Sequence, residues 1–243
     1  MTSFRLIAAA GQLPQDFFQN RSHKTCIQEQ GTVCPAWALH HIGEWVTPTL
    51  QHIVLVAVPV ACGFVVAFAM ALLAHRRRWL VGPFLGVSDV LFTIPSFALF
   101  YILLPLTGLG RTTAIIALTA YTLVILFRNT YSGLSNVPEE VKDAGRGMGL
   151  TERQLLWRVE LPLAVPEIIG GLRVATVSTV ALATLAVFIN GGGLGTKVYP
   201  DISFLTGVLT SGIILLALAF VLDVALVIAQ RLATPWLKVA QTR

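Results

Sequence analysis

Charged residues are scarce in this 243-residue chain: Asp, Glu, Lys and Arg together make up 12% of it. A soluble domain usually carries about a quarter. So few charges cannot cover a water-facing surface, and this excludes one large soluble domain. Cysteine is almost as scarce. Three residues, Cys26, Cys34 and Cys62, include no C-x-x-C pair, which excludes a zinc ribbon or a thioredoxin-like centre. No G-x-x-x-x-G-K-[ST] run is present. The nearest candidate, Gly195-Thr196-Lys197, lacks the adjacent Gly-Lys, so the chain is not expected to bind nucleotide. No H-E-x-x-H occurs either. His40, His41 and Glu44 are the local candidates for a metal-dependent membrane enzyme, and no further clustered ligand completes a set. Leu6–Ala10 is too short for the apolar region of a signal peptide, and Pro14 and Asp16 follow closely.

Long apolar runs are what the chain does have. Hydrophobic residues make up 55% of it, and the mean hydropathy is +0.76. Five runs approach or exceed the ~20 residues that cross a bilayer: about 46–74, 80–106, 112–127, 163–189 and 205–229. The expected fold is an all-α polytopic membrane protein with about five transmembrane helices. Pro83, Pro95 and Pro105 interrupt the second run. The net charge of +5 does not suggest nucleic acid, because the basic residues flank the apolar runs. With the N-terminus outside, eleven of the 17 Lys and Arg residues fall on the inner side and five on the outer, with Arg173 inside a span. The positive-inside rule therefore predicts an outer N-terminus and an inner C-terminus.

That orientation places Cys26 and Cys34 in an oxidising compartment, where a disulfide between them is expected to pin the N-terminal segment. Residues 35–45 are expected to form a short helix at the membrane surface, with Trp37 and Trp45 in the interfacial belt. Three ionisable residues lie inside spans at similar depth: Asp89, Arg173 and Asp223. A charge in lipid is costly unless paired, so Arg173 is expected to pair with Asp89 or Asp223. The alternative is snorkelling to the inner interface. Gly171, Ala175, Thr179 and Ala183 recur at every fourth position of the fourth span and form a seam for close helix packing.

The polar stretch 129–162 between the third and fourth spans is the most informative segment. Glu139–Arg146 and Thr151–Val159 read as two short helical pieces, with Thr151 as a cap and Gly149 at the turn between them. Leu155, Leu156 and Val159, beside Trp157, make an apolar patch suited to docking in a partner's groove. The bland alternative is a solvated loop.

The motif Asp143-Ala144-Gly145, three residues, Gly149, nine residues, Val159, one residue, Leu161-Pro162 resembles the EAA loop of binding-protein-dependent ABC permeases. It departs from that pattern at Asp143 for Glu, Gly145 for Ala and Val159 for Ile. Thr93-Ile94-Pro95-Ser96-Phe97-Ala98-Leu99, Arg128-Asn129-Thr130-Tyr131-Ser132-Gly133, Gly145-Arg146-Gly147-Met148-Gly149 and Gly191-Gly192-Gly193-Leu194-Gly195 are similar to segments of osmoprotectant permeases.

The resemblance covers residues 47–232 as the transmembrane domain. An extracytoplasmic segment, 1–46, would precede it, and a cytoplasmic tail, 233–243, would follow. It implies import of a compatible solute such as glycine betaine, choline or carnitine. It also implies that Asp143, Ala144, Gly145, Gly149, Leu161 and Pro162 belong to a coupling helix seated on an ATPase. The implied partners are cytoplasmic ATPases, which hold the ATP and magnesium, a second permease chain and an external binding protein. The family places the aromatic cage for quaternary ammonium groups in the binding protein. Phe97, Phe100, Tyr101 and Tyr131 are therefore read here chiefly as packing residues. Rival readings are another ABC branch, for methionine or sulfonates, and an ATP-independent carrier or channel.

Overall fold

The computed structural model describes residues 33–199 and 204–236. A short helix, α1 (Pro35–His40), and a 3-10 turn (Ile42–Trp45) lead into α2 (Val46–Arg76). Then come α3 (Val81–Thr93), α4 (Ser96–Thr107) and α5 (Arg111–Ser135). The helices α6 (Glu139–Gly147) and α7 (Glu152–Leu155), a π turn (Leu156–Glu160) and α8 (Leu161–Ala183) follow. A 3-10 segment (Thr184–Ile189) and a glycine-rich loop lead to α9 (Leu205–Ala233). Four stretches are long and apolar enough to cross a membrane, and the bent pair α3–α4 makes a fifth.

α5 is the central helix. It packs against α2 where Gly63 faces Thr122. A Cβ on Gly63 would stand 2.2 Å from Thr122 Oγ1, so only glycine allows this approach. The Thr122 hydroxyl donates to the carbonyl of Pro59, 3.1 Å away, tying the two helices at the proline of α2. α8 packs on the other side of α5. Gly171 lies against Asn129, whose Cβ would be 2.4 Å from an added methyl. Ala175, Thr179 and Ala183 are buried along the same line. The small-residue seam therefore faces a neighbouring span of the same chain.

The second span is not the continuous helix that its length suggests. Pro95 has no N–H to continue a helix and restricts the residue before it to extended backbone. Ile94 accordingly has φ −72° and ψ 122°, and α3 and α4 meet at a bend of 100°. The Tyr121 hydroxyl donates to the Ile94 carbonyl freed by the break. Contacts with α5 decide whether the chain turns back. Phe84 meets Phe127, Asp89 meets Arg128, Ile94 meets Tyr121 and Thr107 meets Thr113. The partners progress from one end of α5 to the other, so α3 and α4 form one broken crossing.

The third span also differs from expectation. It continues past Arg128 to Ser135. Asp89 faces Arg128, and no proline follows Arg128 before Pro138. α1 and the turn after it pack against α9 and the residue before it. Trp37 packs edge-on against Phe204 at 4.7 Å, and buried Trp45 donates its indole N–H to Ser211 at 2.9 Å.

Candidate functional site

The 139–162 segment stands at the arginine-rich end of the bundle, raised by two stalks. One is the last two turns of α5; the other is α7 with the π turn, which runs without a break into α8. Gly133 allows the stalks to meet: a Cβ there would lie 3.2 Å from the Ala164 carbonyl. Leu134, Leu156, Ala164 and Ile168 form a small core between them. The second helical piece is thus the start of the fourth helix, not an independent loop helix. Its N-terminus is set by a capping box. Thr151 accepts from the Gln154 N–H at 3.4 Å, and Gln154 Oε1 accepts from the Thr151 N–H at 2.9 Å.

α6 projects beyond the stalks. It begins after Pro138 and ends at a turn where Gly149 has φ +81°, a conformation costly for any other residue. Gly145 is buried against Leu155, whose Cδ1 would lie 2.6 Å from an added methyl. An alanine here, as in the resembling motif, would require Leu155 to shift its side chain. Arg146 gathers the acidic side chains of the loop: Glu139 at 2.9 Å, Asp143 at 3.0 Å and Glu152 at 3.1 Å. Arg146, and after it Lys142, hold the Glu139 carboxyl below the usual carboxylate range. Bonds to Glu139, Glu152 and Asp143 raise Arg146 in turn.

The expected docking patch needs correcting. Leu155 and Leu156 are turned inward, 0% and 4% exposed: Leu156 closes the stalk core, and Leu155 packs against Gly145 of α6. The apolar side chains presented outward are Val141, Met148 and Trp157. Asp143 and Ala144 lie on the exposed side of α6, whereas Leu161 and Pro162 belong to the first turn of α8.

Of the three intramembrane ionisable residues, Arg173 and Asp223 come together. Arg173 donates from Nε and from a terminal nitrogen to the two Asp223 oxygens at 2.8 and 2.9 Å, joining α8 to α9. Asp89 lies apart from that pair and faces Arg128, both half-exposed.

The polar contacts of three side chains, His75, His52 and Gln51, escaped sequence reasoning. His75 at the end of α2 bonds the buried Glu160 of the π turn at 2.6 Å, locking the stalk to α2. His52 is fully buried. Its Nε2–H donates to the Val180 carbonyl at 3.0 Å, and its Nδ1 accepts the Leu194 N–H at 3.3 Å. Gln51 accepts the Gly193 N–H at 3.2 Å. Together Gln51 and His52 fasten the glycine-rich loop at the end opposite the arginines. Gly192 and Gly193, both at φ +84°, bring its backbone this close. A lone His in an apolar run was the signal available for this anchor.

At the N-terminal side Cys34 is disulfide-bonded, and its expected partner Cys26 lies outside the described residues. Glu44 pairs with Lys197 at 3.0 Å, and the His41 ring stacks on Trp37 at 4.4 Å. Among the described residues, no group of three His, Cys, Asp or Glu gathers as for a metal ion.

Comparison with known proteins places this architecture. The family described as "Binding-protein-dependent transport system inner membrane component" matches residues 63–239. The choline transport system permease protein OpuBB of Bacillus subtilis is 33% identical over 207 residues, covering 81% of this chain and 95% of that protein. The osmoprotectant import permease protein OsmW of Salmonella typhimurium is 35% identical, covering 82% and 96%. The glycine betaine/carnitine/choline transport system permease protein OpuCB of Bacillus subtilis is 32% identical, covering 79% and 90%. In fold, an inward-facing MetNI methionine ABC transporter chain superposes with a TM-score of 0.72 at 21% identity, covering 78% of this chain and 96% of that one.

Proposed function

Because the chain belongs to the family of binding-protein-dependent transport system inner membrane components, we propose that it is the multi-pass inner-membrane permease of an ATP-driven importer of a compatible solute such as glycine betaine, choline or carnitine. The observation that carries this reading is the α6 turn. It is held out on two stalks, stiffened by Arg146 and stopped by Gly149, and it leaves Val141 and Met148 exposed, with Trp157 of the π turn also exposed. A helix shaped in this way fits a groove on a cytoplasmic partner.

In this reading the arginine-rich end faces the cytoplasm, and an ATPase subunit seats α6. Motion of α6 passes along both stalks. Through Leu134 and Leu156 it reaches α5 and α8, and through His75–Glu160 it reaches α2. Rigid-body rocking of packed helices then alternates access to the path. A second permease chain, identical or homologous, completes the pair. An external binding protein delivers solute at the end that carries the glycine-rich loop. The permease itself is not an enzyme; ATP and magnesium belong to the ATPase.

The test is ATP hydrolysis by the complex retrieved through this chain from its native membrane, with compatible solutes added. Activity that co-purifies and rises with betaine, choline or carnitine supports the reading. Absence of a co-purifying ATPase, together with uptake unaffected by Gly149→Asp, would sink it and leave an ATP-independent carrier in its place.

A further inference from the structure

Four aromatic rings are linked in a chain of one edge-to-face and two tilted contacts, between the Pro95 break and the 3-10 turn that ends α8. Phe97 contacts Tyr101 at 4.9 Å and Phe188 at 5.2 Å, and Phe188 contacts Tyr199 at 4.8 Å. Phe97 stands two residues past the Pro95 break, at the start of α4. Phe188 stands within the 3-10 segment that ends α8. Despite their mutual contacts, Phe97, Tyr101 and Phe188 remain 42%, 44% and 43% exposed. Phe100 on the same helix is 1% exposed and belongs to the core.

Two physical arguments say what this exposed face meets. Non-helical backbone at membrane depth does not face hydrocarbon; it is tolerated where it is covered by protein or lines a wet cavity. Breaks in two apolar helices that meet in space are also where transporters of other folds build their solute sites. Isolated interfacial Trp and Tyr anchors would not account for rings that contact one another across such breaks. The second argument concerns charge. The nearby cation, Lys197, is already engaged by Glu44 at 3.0 Å. The π surface therefore lies beside a cation whose charge Glu44 offsets, which lowers its repulsion of a cationic ligand.

We propose that Phe97, Tyr101, Phe188 and Tyr199 form a transient binding surface on the solute path for a trimethylammonium head group, held by cation–π attraction. This rests on the importer reading and deepens it. Cation–π attraction to rings holds such a group weakly, which suits a site that must release its solute at every cycle.

The experiment uses the complete complex, with its ATPase and binding protein, reconstituted in vesicles and fed choline. Mono-, di- and trifluorinated phenylalanine replace Phe97 or Phe188, weakening the ring's negative face while keeping its shape. Maximal choline uptake is expected to fall in graded steps, about fivefold or more by the third fluorine at either position. The same series at the buried Phe100 is the control and should show no gradation. A flat response at both Phe97 and Phe188, or an equal response at Phe100, would overturn the proposal and assign the rings to packing. If the unsubstituted complex takes up no quaternary ammonium solute, the importer reading fails first. That outcome is distinct from a flat fluorine series in a complex that transports choline.

Discussion

His52 offers a sharp test of how the glycine-rich loop is held. Its two ring nitrogens serve different backbone groups: Nε2 donates to Val180 and Nδ1 accepts from Leu194. The side chain is fully buried, so water cannot replace either bond. In His52→Ala the Leu194 N–H is left without an acceptor, a loss of about 1–3 kcal/mol. The emptied volume adds to the total, as large-to-small core changes cost about 2–5 kcal/mol. In His52→Asn the side-chain oxygen stands roughly where Nδ1 stands, so the Leu194 bond survives while the Val180 bond is lost. The assay is hydrogen exchange at the Leu194 amide, read beside the thermal midpoint of the complex. A loss near 2 kcal/mol corresponds to about a thirtyfold rise in the open population. Alanine should show that rise and asparagine should not, although both lower the midpoint. Equal exchange in the wild-type, Ala and Asn proteins would refute the assignment of His52 as the acceptor.

Other predictions concern the opposite end and the span interior. Gly149→Ala puts a β-carbon at φ +81°, at a cost of about 1–2 kcal/mol. Uptake should fall while the amount of inserted chain, measured by quantitative blotting, is little changed. Gly145→Ala gains up to about 1 kcal/mol of helix propensity, but it must displace Leu155 Cδ1 from 2.6 Å. The net change in thermal stability should therefore stay within about 1 kcal/mol, whereas Gly145→Leu should prevent assembly with the ATPase. Arg173→Asp and Asp223→Arg should each reduce the yield of folded chain in detergent. The double exchange should recover much of it, and additive losses would refute the pairing. Glu139 has its folded pKa lowered, so its contribution is present above the ordinary carboxylate value and is lost as pH falls through the lower folded one. Protease sensitivity of the α6 loop should then stay level from about pH 8 to 5 and rise only in stronger acid.

By itself the sequence determined the solvent of the fold. Runs of apolar residues set the number of crossings, and the spacing from Asp143 to Pro162 located the projecting loop with its turn at Gly149. These are properties of length, polarity and backbone freedom, which act within a few residues along the chain. What the tertiary structure decided involves partners far apart in sequence. Asp89 and Asp223 lie at similar depth, and only the packing of α9 on α8 gives Arg173 to Asp223, while α3 hands Asp89 to Arg128. Leu155 and Leu156 look like a docking patch until Gly145 of α6 covers the one and Leu134 of α5 the other. A proline in an apolar run signals an interruption, but the 100° bend also depends on Tyr121 meeting the freed carbonyl from another helix. Charges within the spans and open carbonyls take whichever partner the fold brings within reach, and that reach exists only once the helices have packed.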